Sequence, residues 1–262
     1  MKQNDFLSTR IANLIAFIAV FVVNMLSAVG LINNLSPQAV SDSFPNLFAP
    51  AGLTFSIWGV IYILLALFAL YGMGLFRGKS GGTESIRRIG PYFIISSIAN
   101  IAWIFSWHYK IIPLSMVLML VILVTLIITY MRIVKEPLTS REKAFVRLPF
   151  SVYLGWITIA TIANVTVLLV SLGWNGFGLA PELWTNIILI IGLAIGAIFV
   201  LRYRDIAFGL VLAWAYLGIL IKHTTTWGSQ YPSVITTVTV LLFVGVAVII
   251  IAAVLAFKKK KI

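Results

Sequence analysis

Long apolar stretches and short polar segments alternate along the whole chain. A transmembrane helix needs about 20 consecutive apolar residues to cross the hydrocarbon core of a bilayer. Eight stretches meet or approach that length without a single Asp, Glu, Lys or Arg: residues 11–32, 50–76, 89–108, 111–131, 148–172, 183–201, 206–221 and 232–257. The pattern predicts an all-α integral membrane protein with eight transmembrane helices.

The seventh stretch is the shortest of the eight, with 16 residues. A helix of that length covers about 24 Å, which is less than the hydrocarbon core. We therefore expect flanking residues to snorkel, or the helix to extend to Arg202. The gap at 33–49 is instead long and nearly uncharged, and it is long enough to fold over the mouth of a helical bundle.

The basic residues predict the orientation of the chain. Of 19 Lys and Arg residues, 17 lie at the two termini and in every second gap between spans, and only Lys110 and Lys222 lie in the other gaps. Basic side chains near span ends stay cytoplasmic during insertion. The net charge of +12 therefore reports topology, with both termini in the cytoplasm, and indicates no affinity for nucleic acid. A single basic side suits a prokaryotic inner membrane.

The composition limits the chemistry that the chain can perform. Charged residues make up 10% of it, against roughly 25% in soluble domains. No span carries the acidic or basic residues that charge-coupled pumps and ion channels keep in their paths. There is no cysteine, and His108 and His223 stand alone at outer span ends, where we expect an interfacial or loop role. Metal-dependent and hydrolytic catalysis is therefore disfavoured, and no cofactor is required.

Aromatic and amide side chains recur at helical spacing within three spans. Such spacing places each set on one helix face. The sets are Phe55, Trp58 and Tyr62 in the second span, Asn100, Trp103 and Trp107 in the third, and Tyr153, Trp156, Ala160 and Asn164 in the fifth.

Three of these residues, Trp58, Asn100 and Asn164, share one predicted depth. Each lies 8 residues from the outer end of its span, about 12 Å below the outer surface. Amides in hydrocarbon need hydrogen-bond partners, so one interpretation is a polar spot in an aromatic-walled cavity. The other is hydrogen bonding between helices without a ligand. A separate group of tryptophans is typical of the interfacial belt: Trp107, Trp174, Trp184 and Trp227.

The first loop and second span resemble the translocator protein family, the tryptophan-rich sensory proteins (TspO/MBR). Pro45, Pro50, Trp58 and Tyr62 match the family pattern there without a gap, although Leu47 and Ala49 depart from it.

Two further segments carry the same resemblance in the family's order. Asn100 and Trp103 are similar to the L-N-x-x-W of its third helix. The run from Tyr153 to Asn164 is similar to the Y-x-x-W-x-x-x-A-x-x-x-N of its fifth helix, with Val152 in place of a proline.

The resemblance implies a TspO-like five-helix bundle over residues 1–172 and a C-terminal extension of three transmembrane helices over residues 173–262. It also implies an outer-half cavity, lidded by the first loop, that binds a porphyrin, heme, sterol or other flat lipophile. Some members break porphyrins down in light, but this sequence offers no dedicated acid, base or nucleophile for an enzyme. The expected ligand-binding residues are Phe48, Pro50, Phe55, Trp58, Tyr62, Asn100, Trp103, Trp107, Tyr153, Trp156, Ala160 and Asn164.

The C-terminal extension leaves two other functions open. One is a small-solute transporter or exporter with a permeation path among the extra helices, suggested by the pairs Arg204-Asp205 and Lys222-His223. The other is an interface for oligomers such as a homodimer, with Gly192 and Gly196 as a small-xxx-small pair. The partners expected in the favoured case are the lipid bilayer and a small hydrophobic ligand.

Overall fold

The described part of the chain is helical and contains eight helices long and apolar enough to span a membrane, which confirms the predicted all-α membrane fold. The computed structural model describes residues 2–76 and 83–258. Its helices are α1 (Lys2–Ala28), α2 (Pro37–Asp42), α3 (Ile57–Met73), α4 (Thr83–His108), α5 (Ile112–Val134), α6 (Ser140–Glu142), α7 (Leu148–Ser171), α8 (Pro181–Tyr203), α9 (Ile206–Ile221) and α10 (Pro232–Lys258). Five of the basic residues used to predict the orientation lie outside the described residues: Arg77, Lys79 and Lys259 to Lys261.

Shorter turns extend two of the spanning helices. The 3₁₀ turn Gly52–Ser56 runs into α3, and the π-helical turn Lys143–Arg147 joins α6 to α7. Each turn is continuous with its helix, and the resulting candidate spans cover Gly52–Met73 and Ser140–Ser171.

The short seventh span extends at its C-terminal end. Arg204 ends α8 in a left-handed conformation (φ 50°), and the Asp205 carboxylate accepts a hydrogen bond from the Phe208 amide at 3.1 Å to cap α9. The expected extension to Arg202 is therefore wrong, because a fixed cap separates α9 from that residue. A π-helical turn at Lys222–Thr226 instead lengthens the span to 21 residues.

Contacts divide the chain into two compact units, and the division falls within α7. The first unit comprises residues up to Val40 and Trp58–Ile157, and the second comprises Ser41–Ile57 and Thr158–Ile262. The predicted domain boundary at residue 172 follows the family resemblance and stays a prediction.

In the first unit, α4 packs against both α1 and α5. The close approach of α1 and α4 depends on Gly90, since a Cβ atom there would lie 2.7 Å from a methyl group of Thr9. Three mutually contacting rings fill the core, with centroids 4.9–5.9 Å apart: Phe68, Phe93 and Phe150.

In the second unit, α8, α9 and α10 pack against one another. A Cβ atom on Gly196 would lie 2.0 Å from Leu212, and one on Gly192 would lie 2.9 Å from the Tyr216 hydroxyl. That hydroxyl donates a hydrogen bond to the Leu189 carbonyl at 2.5 Å. The glycine pair therefore serves packing of α8 on α9 within the chain. A homodimer stays a prediction, but Gly192 and Gly196 no longer serve as its predicted interface.

Candidate functional site

A chain of buried amides joins three helices in the first unit. The Asn24 amide of α1 donates hydrogen bonds to the Val20 carbonyl and to the Asn100 side-chain oxygen, both at 2.8 Å. The Asn100 amide of α4 donates to the Tyr153 hydroxyl of α7 at 3.1 Å. Asn100 is fully buried, so both ends of its amide are satisfied by protein groups rather than by water. This arrangement favours the interhelical interpretation of Asn100.

Trp58 is the centre of an aromatic cluster beside this chain. Its ring stacks on Tyr62 with centroids 5.7 Å apart and meets the rings of Tyr153 at 6.0 Å and Trp156 at 6.2 Å edge to face. Tyr62 also meets Phe21 of α1 edge to face at 5.7 Å. Trp58 therefore contacts three other predicted binding residues directly.

Several polar atoms in this unit are buried without a hydrogen-bond partner in the described structure, and two of them belong to the predicted binding residues Tyr62 and Trp103. The Tyr62 hydroxyl and the Trp103 indole nitrogen have none within residues 2–76 and 83–258. The two side chains are only 3% and 6% exposed. Trp103 stacks on Trp107 at 5.6 Å, and the Trp107 indole donates to the Pro37 carbonyl at 3.1 Å. Trp107 is thus buried within the protein, and its predicted interfacial depth stays a prediction.

His108 is also buried, which differs from the interfacial position expected for it. Its Nδ1 lies 2.7 Å from the Ile104 carbonyl, which can only accept, so Nδ1 carries the proton. Nε2 then accepts from the Ser27 hydroxyl at 3.0 Å in the neutral imidazole. Asn33 donates to the His108 carbonyl at 2.8 Å, so this histidine joins α1, the following turn and α4.

The second unit contains the first loop, residues 41–57, and α9 holds the end of this loop. The Ala51 amide donates to the Gly218 carbonyl at 2.9 Å, and the Trp214 indole donates to the Thr54 carbonyl at 3.0 Å. Thr54 is buried, and a Cβ atom on Gly218 would lie 1.9 Å from its hydroxyl oxygen. Of the predicted binding residues in this loop, Phe48 and Pro50 are buried and Phe55 is half-buried.

The turn after α9 holds the beginning and middle of the same loop. The Lys222 ammonium lies 2.5 Å from the Asp42 carboxylate and 5.6 Å from the centre of the Trp227 ring. His223 is buried, and its Nε2–H donates to the Leu47 carbonyl at 2.9 Å. His223 therefore contacts the first loop, although its ring is buried rather than exposed in a loop.

The predicted binding residues fall in both units. Trp58, Tyr62, Asn100, Trp103, Trp107, Tyr153 and Trp156 belong to the first, and Phe48, Pro50, Phe55, Ala160 and Asn164 to the second. Asn164 is buried and Ala160 half-buried.

The sequence did not predict the roles of Asn24, Trp214 and Gly218. Asn24 and Trp214 carried a usable signal, because a polar group within an apolar span needs a hydrogen-bond partner. Gly218 carried none, since its role depends on Thr54, which is distant in the sequence.

When the chain is compared with known protein families, one family matches it. The sequence pattern of the family described as TSPO-like protein matches residues 10–255, which include the three C-terminal helices. No curated protein and no solved structure matches the chain.

Proposed function

The chain belongs to the TSPO-like protein family and is a multi-pass membrane protein, and on that premise we propose that it binds a flat lipophile of the tetrapyrrole class. A porphyrin or heme is the expected ligand, held in the first unit near Trp58, Tyr62 and Trp103. Binding would serve sensing, transport or turnover of that molecule. Both termini would lie in the cytoplasm of a prokaryotic cell, which would place Trp58 and Asn100 in the outer half of the membrane.

The observation that carries this proposal is the pair of unpartnered donors, the Tyr62 hydroxyl and the Trp103 indole N–H, within the part of the chain described. A buried polar group without a partner costs about 1–3 kcal/mol. The hydrocarbon core holds no water that could satisfy it. A ligand with hydrogen-bond acceptors at its edge would recover this energy.

A tetrapyrrole has the two properties that suit these side chains, a flat ring and hydrogen-bond acceptors at its edge. Its large flat ring can stack on indole and phenol rings, as Trp58 already stacks on Tyr62. Its carboxylate groups accept hydrogen bonds at the edge of the ring. Sites for such ligands are mostly apolar, with a few polar groups that fix the orientation.

The proposal can be tested by removing both donors while keeping aromatic rings in place. We expect the double variant Tyr62→Phe/Trp103→Phe to bind protoporphyrin about 30-fold more weakly, since each lost hydrogen bond contributes about 1 kcal/mol. The dissociation constant would be measured by porphyrin absorbance in detergent or nanodiscs.

The matched control is Tyr109→Phe/Trp174→Phe, which makes the same two chemical changes away from the proposed site. Tyr109 is exposed, and Trp174 lies in the second unit. The control should bind like the unsubstituted protein. If Tyr62→Phe/Trp103→Phe bound protoporphyrin within twofold of the affinity of the unsubstituted protein, the two donors would not belong to the ligand site.

The transporter alternative finds less support among α8, α9 and α10. A small apolar groove lies between them, lined by residues such as Leu193, Leu212 and Ile249. Tyr216 brings a hydroxyl to this groove, but that hydroxyl is already bonded to the Leu189 carbonyl. The groove suits hydrocarbon better than a polar solute.

A further inference from the structure

The apolar groove between α8, α9 and α10 ends close to two arginines. The groove lies within the second unit, and Val200 and Gly209 line it near the turn at Arg204 and Asp205. We propose that this groove, together with Arg202 and Arg204, forms a binding site for an anionic phospholipid. One acyl chain lies in the groove, and the phosphate of the headgroup lies against the two guanidinium groups.

The lining of the groove suits a hydrocarbon chain. Large aliphatic side chains such as Leu193 and Ile249 form its walls, and small residues such as Ala213 and Gly245 leave room between the helices. In the described structure none of the residues that line it is charged. An acyl chain gains dispersion contacts with such walls over its whole length.

The groove is accessible from the bilayer, because the protein covers α10 very little. Of the residues in the apolar window of α10, 6% are buried, whereas 56% are buried in the span formed by α9 and the turn after it. Large apolar side chains of α10 such as Phe243 and Ile250 are exposed. A lipid of the surrounding bilayer therefore reaches the groove without passing through the protein.

Arg202 and Arg204 have guanidinium groups without a hydrogen bond or ion pair to another described residue. Arg202 is exposed and Arg204 is half-buried. In the first unit, by contrast, Arg88 forms an ion pair with Glu136 at 2.7 Å. Guanidinium groups bind phosphate through two parallel hydrogen bonds, so two arginines without protein partners favour a phosphate-bearing ligand.

The turn between α8 and α9 holds these arginines in a fixed place. Arg204 ends α8, and the Asp205 amide donates to the Val200 carbonyl at 3.2 Å. The Phe199 ring of α8 stacks on the Phe208 ring of α9 with centroids 4.1 Å apart. Because the backbone beside the groove is already ordered, a bound phosphate costs little further conformational entropy.

Lys258 adds a third positive charge on the same side of the membrane. One span, α9, separates α8 from α10, so both of these helices end on that side. Ile249 and Val200 both lie against Gly209, and Lys258 follows Ile249 by nine residues, or about 14 Å of helix. The exposed Lys258 therefore lies farther from the groove than the arginines do.

The charge on this side of the second unit is therefore complementary to an anionic headgroup. Asp205 is the only acidic residue in the sequence from 183 to 262, and its buried carboxylate already caps α9. Each basic residue near a membrane surface strengthens the attraction of anionic lipid by about fivefold. A zwitterionic lipid gains no such preference.

The test removes the charge of the two arginines in the full-length protein. Arg202→Gln/Arg204→Gln removes it, and Arg202→Lys/Arg204→Lys keeps it without the planar guanidinium. The matched control is Lys135→Gln/Arg141→Gln, which removes two exposed basic charges from the first unit. Native mass spectrometry in detergent measures the dissociation constants of phosphatidylglycerol and phosphatidylcholine.

We expect the unsubstituted protein to bind phosphatidylglycerol about 30-fold more tightly than phosphatidylcholine, since two arginines contribute about fivefold each. This preference should disappear in Arg202→Gln/Arg204→Gln, stay within about threefold in the lysine variant, and be unchanged in the control. An unchanged preference in the glutamine variant, or an equal loss in the control, would overturn the role of the arginines.

A second pair of variants tests the groove. Ala213→Leu fills it, whereas Ala247→Leu makes the same change at an exposed position of α10 outside it. Ala213→Leu should weaken the binding of both lipids and Ala247→Leu neither. Glycerol phosphate, which has no acyl chain, should not bind at the lipid concentrations used. Equal binding of glycerol phosphate would show a site for free anions and overturn the lipid proposal.

Photolabelling of the unsubstituted protein keeps the test decisive if a variant misfolds. The probe is phosphatidylglycerol with a diazirine near the end of one acyl chain, added at one equivalent in detergent. Crosslinks should fall within residues 193–216 and 241–249, which include the groove. Crosslinks confined to the helices of the first unit would overturn the placement of the chain in this groove.

Discussion

At the scale of single residues, the buried side chain of Asn100 accepts one hydrogen bond and donates another. Its oxygen accepts from Asn24 and its nitrogen donates to Tyr153, so one buried amide links α1, α4 and α7. The position of Asn100 on the inner face of its helix followed from its spacing to Trp103 and Trp107. The position of its partner Asn24 could not be predicted in this way, because the first span was identified by its apolar length alone.

We expect Asn100→Leu to destabilise the protein by about 1–2 kcal/mol, since the Asn24 amide loses its partner in a buried setting. Unfolding in a denaturing detergent titration would measure this change. The control is Ile98→Leu on the same helix, where the side chain is exposed. Equal stability of the two variants would show that the amide chain contributes nothing measurable.

At the scale of elements, α9 differs most from what its sequence predicted. Its apolar limits, 206–221, coincide with the helix itself, yet the span is completed by the π-helical turn that follows. Helical periodicity could locate α9 but could not predict that Gly218 and Trp214 contact the first loop. Their partner, Thr54, lies more than 150 residues earlier, and no local pattern records such a contact.

Gly218→Ala should destabilise the protein by about 1–3 kcal/mol, because the new methyl group overlaps Thr54. Adding Thr54→Ala removes the closest atom and should restore part of that loss. A double-mutant cycle from thermal unfolding would measure the coupling.

The matched control for this cycle is Gly59→Ala in α3, where a Cβ atom meets nothing within 4 Å. It should be neutral or slightly stabilising, since alanine favours helices. Additive effects of Gly218→Ala and Thr54→Ala would contradict direct packing between these positions.

At the scale of the whole molecule, the sequence predicted the class of protein and the number of spans. Both follow from apolar length, which the bilayer imposes on any spanning helix. The family followed from three short motifs, and the match over residues 10–255 extends it through the C-terminal helices. The grouping of the first loop with those helices could not be predicted, because it depends on side-chain contacts between distant segments.

The predicted orientation can be tested with single cysteines, since the chain contains none of its own. We expect a membrane-impermeant maleimide applied to intact cells to label Gln230→Cys and to leave Lys135→Cys unlabelled. Both positions are exposed. Permeabilised cells should show labelling of both variants, and the cysteine-free protein gives the background. The reverse labelling pattern would show that the true orientation is the opposite of the predicted one.

The ion pair between Asp42 and Lys222 also bears on how the protein is made, because 180 residues separate the two partners. At about 5–20 residues per second, a ribosome needs roughly 10–40 s to synthesise that interval. During this time the first loop has been synthesised, while the helix that holds it does not yet exist. Completion of the loop is therefore a late step of biogenesis. A chain stopped at residue 172 would retain five helices and lack the residues that fasten this loop.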